Sequence, residues 1–97
     1  MLTPEGRIKK KLRTHLKTIG AYRFSPVQMG LGQTTLDELC CIRGRFVGIE
    51  VKAEGGVPTP RQQLTMKEIK RAGGIAIWGD SYEMIVDRLE EALGSLS

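Results

Sequence analysis

The chain has 97 residues, a formal net charge of +4, and 40% hydrophobic, 27% charged and only 5% aromatic residues. That composition excludes a disordered chain, and so few rings exclude binding dominated by bases stacked on exposed aromatics. The length is that of one domain with one core, residues 1–97, and the moderate basic excess supports a nucleic-acid partner without requiring one.

Residues 3–18 predict a helix, with Thr3 as N-cap, Pro4 at the first helical position and Glu5 in the first turn. Ile8, Leu12 and Leu16 recur at helical spacing as a narrow apolar stripe, and Gly20 stops the helix. Arg7, Lys9, Lys10, Lys11, Arg13 and Lys17 spread over the remaining surface. They read equally as a solvated face or as phosphate contacts. Residues 21–27 predict a first strand, with Pro26 placing it near a sheet edge or marking its end. The loop that follows carries Gly30-x-Gly32, which lacks the third glycine and the helix of a dinucleotide fingerprint. It reads instead as a place where the backbone approaches a ligand.

Residues 36–42 and 45–53 predict an antiparallel hairpin through Arg43-Gly44. After a 54–58 loop, Thr59 and Pro60 open a second helix that runs to about Ala72 and ends at Gly73-Gly74. Residues 75–78 form a short apolar strand, and Gly79-Asp80-Ser81 turns into a last helix. Asp80 or Ser81 caps it, Ile85, Leu89 and Leu93 face inward, and the tail past Gly94 frays. The order α-β-β-β-α-β-α is an α/β pattern, a mixed sheet flanked by helices.

The stretch Gly44-Arg45-Phe46-Val47-Gly48-Ile49-Glu50-Val51-Lys52 sets two charges into a strand. Alternation puts Val47, Ile49 and Val51 on one face and Phe46, Gly48, Glu50 and Lys52 on the other. An exposed ion pair would account for Glu50 and Lys52 alone. Asp37, however, starts the partner strand and converges on the same end of the hairpin. Two close carboxylates repel unless a cation lies between them, and such hard oxygens suit Mg²⁺ or Mn²⁺. A neighbouring lysine then orients an attacking water or neutralises phosphate charge. Glu5 extends the apolar stripe of the first helix, and Gln62 aligns with Met66 and Ile69 on the inward side of the second, while Gln63 aligns with Lys67 and Lys70. Glu5, Asp37, Glu50, Lys52 and Gln62 thus share one predicted cleft.

Asp37 with Glu50-x-Lys52 on the next strand resembles the Asp…Glu-x-Lys signature of the PD-(D/E)XK nuclease superfamily, whose restriction-endonuclease-like core has the element order read above. More narrowly, the chain resembles the VRR-nuclease family in the short stand-alone form of phages and bacteria. The matching pieces are Pro4-Glu5-Gly6, Gly30-x-Gly32, Asp37, residues 44–52, Pro58-Thr59-x-x-Gln62 and Ala72-Gly73-Gly74. Leu36, not proline, precedes Asp37, a position that varies in the superfamily. The resemblance implies a metal-dependent DNA endonuclease. It makes Asp37 and Glu50 the ligands of Mg²⁺ or Mn²⁺ with the Val51 carbonyl as a further ligand, Lys52 the residue that assists the water, and Glu5 and Gln62 the residues that complete the site. Stand-alone members are similar to Holliday-junction resolvases, which implies branched DNA as substrate and a homodimer. Cutting two junction strands symmetrically also calls for two sites related by a two-fold. The first strand, the last helix and the Met29–Leu31 loop are candidate dimer surfaces.

Two other function classes stay in view: a non-catalytic DNA-binding module of the same fold, and a protein-interaction domain with surface ion pairs. The first has no need for acids facing a polyanion. Glu54 and His15 read as a solvated loop carboxylate and a helix-face imidazole. Cys40 and Cys41 are adjacent, so no disulfide framework is expected, only one buried thiol and one on the opposite face. No apolar run reaches membrane-span length and no signal-peptide h-region is present, so a cytoplasmic protein, in a bacterium or a phage-infected host, is expected.

Overall fold

Each helix begins on a hydroxyl cap. In the computed structural model, which describes residues 2–26 and 35–94, α1 spans Pro4–Thr18 and Thr3 Oγ1 accepts the Gly6 N–H at 2.9 Å. The second helix, α2, spans Pro60–Arg71 from its cap Thr59. The third, α3, spans Tyr82–Gly94, and Ser81 Oγ accepts the Met84 N–H at 3.1 Å. Of the two caps expected there, Ser81 is the one used. Asp80 instead accepts the Gly55 N–H at 3.0 Å, tying that loop to the turn before α3. Pro4 and Pro60 sit where a missing N–H costs nothing.

Four strands, β1 Tyr22–Phe24, β2 Glu38–Ile42, β3 Arg45–Val51 and β4 Ile75–Gly79, form one sheet in the order β1-β2-β3-β4. The first two pairings are antiparallel and β3–β4 is parallel, so the sheet is mixed. Among the described residues the first strand is shorter than its expected span of residues 21–27, pairing at Tyr22–Phe24, and Pro26 has no N–H to extend the ladder. Val27, the Gly30-x-Gly32 loop, the Met29–Leu31 surface and the tail after Gly94 lie outside the described residues. The hairpin ladder is also shorter, beginning at Glu38 and ending at Val51. The Val51 N–H donates to the Asp37 side chain at 2.9 Å, so a carboxylate replaces the backbone acceptor where the ladder stops.

Helices α1 and α3 cover one face of the sheet. Val47, Ile49 and Val51 of β3, Cys40 and Ile42 of β2 and Ile75 of β4 are buried there against Leu12 and Leu16 of α1 and Ile85, Leu89 and Leu93 of α3. On the other face, α2 contributes Met66 and Ile69 to a second cluster with Leu36, Ala76 and Trp78. Gly48 makes that approach close: a Cβ there would meet Ile69 Cδ1 and Leu36 Cδ1, each at 2.9 Å. Helix α2 packs on β3 and β4. On the same face, Tyr22, Phe24 and Phe46 remain exposed, with Cys41 exposed between Tyr22 and Phe46. Cys40 is buried, as strand alternation requires. Among the described residues, no helix is long and apolar enough to cross a membrane.

Candidate metal centre

Glu50 stands on the sheet face opposite Val47, Ile49 and Val51, at the end of β3. Extending the Glu38↔Ile49 register by one step puts Asp37 opposite Glu50, so both carboxylates rise from the same face. The backbone pins them there. The Asp37 N–H donates to Glu50 Oε1 at 3.2 Å, and the Val51 N–H donates to Asp37 Oδ2 at 2.9 Å. Val51 thus joins the cluster through its N–H. Helix α1 packs on the other face, yet its first turn delivers Glu5 to the same point. One carboxylate oxygen each from Glu5, Asp37 and Glu50 lies within 4.8 Å of the others.

Gln62 reaches the cluster through the cap of α2. Thr59 Oγ1 accepts the Gln62 N–H at 3.2 Å, and Gln62 Oε1 accepts the Thr59 N–H at 2.9 Å, a reciprocal capping box. With its oxygen committed to the cap, the amide presents its nitrogen to the site, and Nε2 donates to Glu50 Oε2 at 2.8 Å. Lys52 Nζ lies 3.5 Å from the same Oε2. Glu50 therefore has a donor on each oxygen, which holds its carboxylate in one orientation.

Electrostatics make this carboxylate unusual. Glu50 is only 3% exposed. Burial raises its pKa from 4.5 to about 7, the negative charge of Asp37 and their side-chain hydrogen bond add to the rise, and Lys52 opposes it. Three carboxylates turned toward one point form a hard oxygen donor set, the kind that holds a divalent cation through a few carboxylates and water. The residues present fit such an ion.

All five residues singled out in the sequence, Glu5, Asp37, Glu50, Lys52 and Gln62, lie in this one region. Glu54 and His15 do not belong to the carboxylate cluster. Glu54 is exposed, and His15 packs edge-on against Tyr82 with ring centroids 6.0 Å apart. Two residues escaped the sequence reading. Lys9, grouped there with the bases that read equally as a solvated face or as phosphate contacts, turns its ammonium onto Asp37 Oδ1 at 3.3 Å. Its signal was a place one turn after Glu5, bordering the Leu12 stripe. Glu38 is the second, buried on the α1 face of β2. It accepts from Arg23 Nε and from Ser25 Oγ, the latter at 2.6 Å, with Arg13 Nε at 3.7 Å. Its signal was shared parity with Cys40 and Ile42.

No protein-family model matches the chain, and no curated protein does. Among solved structures, a chain described as a VRR_NUC domain superposes with a TM-score of 0.77 at 22% sequence identity, covering 91% of this chain and 96% of that one. The fold is that of a VRR_NUC domain: the element order and the mixed four-stranded sheet flanked by helices coincide.

Proposed function

We propose that this chain is a divalent-metal-dependent DNA endonuclease that cuts branched DNA, four-way junctions foremost, as a homodimer. The observation that carries the reading is the convergence of Glu5, Asp37 and Glu50 within 4.8 Å on the fold of a VRR_NUC domain. Asp37 and Glu50 would hold Mg²⁺ or Mn²⁺, the Val51 carbonyl would be a further ligand, and Glu5 would close the site from α1. Once bound, the ion supplies polarisation of the scissile phosphate and a more acidic water.

The protein's own groups do the remaining work. Lys52, 3.5 Å from Glu50 Oε2, orients the attacking water and takes up charge developing on the phosphate. Gln62 and the Asp37 N–H fix the Glu50 carboxylate from its two oxygens. Arg7, Lys10 and Lys11 line a groove with Thr14, His15 and Tyr82 between α1 and the start of α3, which supports contact with the DNA backbone. Phosphate contacts position a duplex without reading its bases, so sequence preference is low. Symmetric cutting of a junction needs two sites related by a two-fold, and the uncovered face bearing Tyr22, Phe24 and Phe46 is the surface best suited to join two copies. The free Cys40 and Cys41 accord with a reducing cytoplasm.

The test is incubation of the pure protein with labelled four-way junction, flap and linear duplex in Mg²⁺, Mn²⁺ or chelator. Junction cleavage that needs metal and falls about a hundredfold or more in Asp37→Ala and in Lys52→Ala is expected. Binding without cleavage in either metal would make the chain a DNA-holding module and end the endonuclease reading.

A further inference from the structure

Lys9 follows Glu5 by one helical turn on α1, at the flank of the Leu12 and Leu16 stripe. Its Nζ lies 3.3 Å from Asp37 Oδ1 and 3.9 Å from Glu5 Oε1. Lys52 serves the third carboxylate, Glu50, from the other side at 3.5 Å. Every acid of the cluster thus has an ammonium neighbour, and Lys9 attends two of the three. The Lys9 side chain is 28% exposed, whereas Lys10 and Lys11 next to it are exposed. Confining a long lysine side chain costs rotamer entropy, and the charge of Asp37 and Glu5 is the interaction that offsets it.

Resting on the metal-centre reading above, we propose that Lys9 is the built-in counter-ion of this cluster, a positioning residue that competes with a divalent ion for Asp37 and Glu5 and so sets the affinity of the centre for metal. The physical reason is like-charge repulsion. A divalent cation drawn to the same oxygens meets a full positive charge within a few ångströms, and one of the two must yield. The compact ammonium on a flexible four-carbon stem yields readily. Lys52 pairs with Glu50 Oε2, not with the oxygens of Asp37 and Glu5 that Lys9 attends.

The experiment is a calorimetric titration of Mn²⁺ into the parent protein, Lys9→Met, Lys9→Gln, Lys9→Arg and Asp37→Asn at one ionic strength, with thermal unfolding in chelator and in saturating Mn²⁺. Both uncharged Lys9 variants bind Mn²⁺ about five- to tenfold tighter than the parent, the size expected for losing two partly screened pairs. Lys9→Arg stays near the parent. The uncharged variants also melt lower than the parent in chelator, and that deficit shrinks in Mn²⁺, whereas a merely structural lysine would lower both equally. Unchanged or weaker Mn²⁺ affinity in Lys9→Met and Lys9→Gln, with binding still lost in Asp37→Asn, overturns the role of Lys9 and leaves the metal centre standing. Parent-like binding by Asp37→Asn overturns the metal centre itself, and this inference with it.

Discussion

Glu50 lies on an inner strand at 3% exposure, with Asp37 as its cross-strand neighbour. Its carboxyl therefore keeps a proton up to about pH 7 in the folded chain and to about 4.5 in the unfolded one. Below that window both states are protonated; within it the unfolded chain releases a proton that the folded chain retains. Stability without metal accordingly falls as pH rises from 4.5 to about 7, then levels off. Thermal unfolding at stepped pH, compared with Glu50→Gln, isolates this contribution: the parent loses Tm relative to the variant as pH rises. The Tm gain on adding Mn²⁺ moves oppositely, growing across the same window because proton and metal compete for one carboxylate. A parallel pH response in the two proteins would remove Glu50 as its source. The Glu50-x-Lys52 parity that leads to this residue was legible in the sequence, because strand alternation is a local rule. The proximity of Lys9 to Asp37 was not, since they lie far apart in the chain, on separate elements that tertiary packing brings together.

At the scale of elements, the start of α2 links stability to the site. Thr59 and Gln62 exchange hydrogen bonds in the capping box, and the same Gln62 amide holds Glu50. Thr59→Ala removes the cap at a cost of about 1 kcal/mol, about 5 °C in Tm for a domain of this size. It also frees Gln62 from the geometry that aims its nitrogen at Glu50. Ser81→Ala removes a comparable cap from α3, whose first turn holds none of the five site residues. Both variants should melt lower than the parent, but DNA cleavage should fall severalfold only in Thr59→Ala. Equal cleavage by the two would show that the capping box and the site are independent. The sequence showed Thr59 as a cap and Gln62 as an inward residue. That one amide serves both was decided by the approach of α2 to β3, which Gly48 permits.

On the whole molecule, the two sheet edges differ. Along β4, Arg88 Nη1 donates to the Trp78 carbonyl at 2.7 Å while its guanidinium lies 4.8 Å from the Trp78 ring centroid. A charged side chain that occupies a backbone acceptor guards that edge against strand addition. The β1 side carries instead Tyr22, Phe24 and Phe46 at 77%, 60% and 47% exposure, including both phenylalanines of the chain. Apolar surface gathered on one face favours association. Sedimentation should show a dimer for the parent and a monomer for Phe24→Glu, with Mn²⁺ binding retained in that monomer. A monomeric parent at micromolar concentration would remove this face as a dimer surface.

By itself the sequence determined the element order, the caps of α1 and α2 and the strand faces, including the side of β3 that carries Glu50 and Lys52. These follow from spacing, proline and glycine positions and side-chain hydrogen bonds within a few residues. Only the tertiary structure decided how closely Glu5, Asp37 and Glu50 meet, within 4.8 Å, that Lys9 joins them, that the buried Glu38 pairs with Arg23, and which part of the sheet α2 leaves uncovered. Those outcomes depend on strand order, register and how closely each helix lies on the sheet, and contacts between segments far apart in the chain set them.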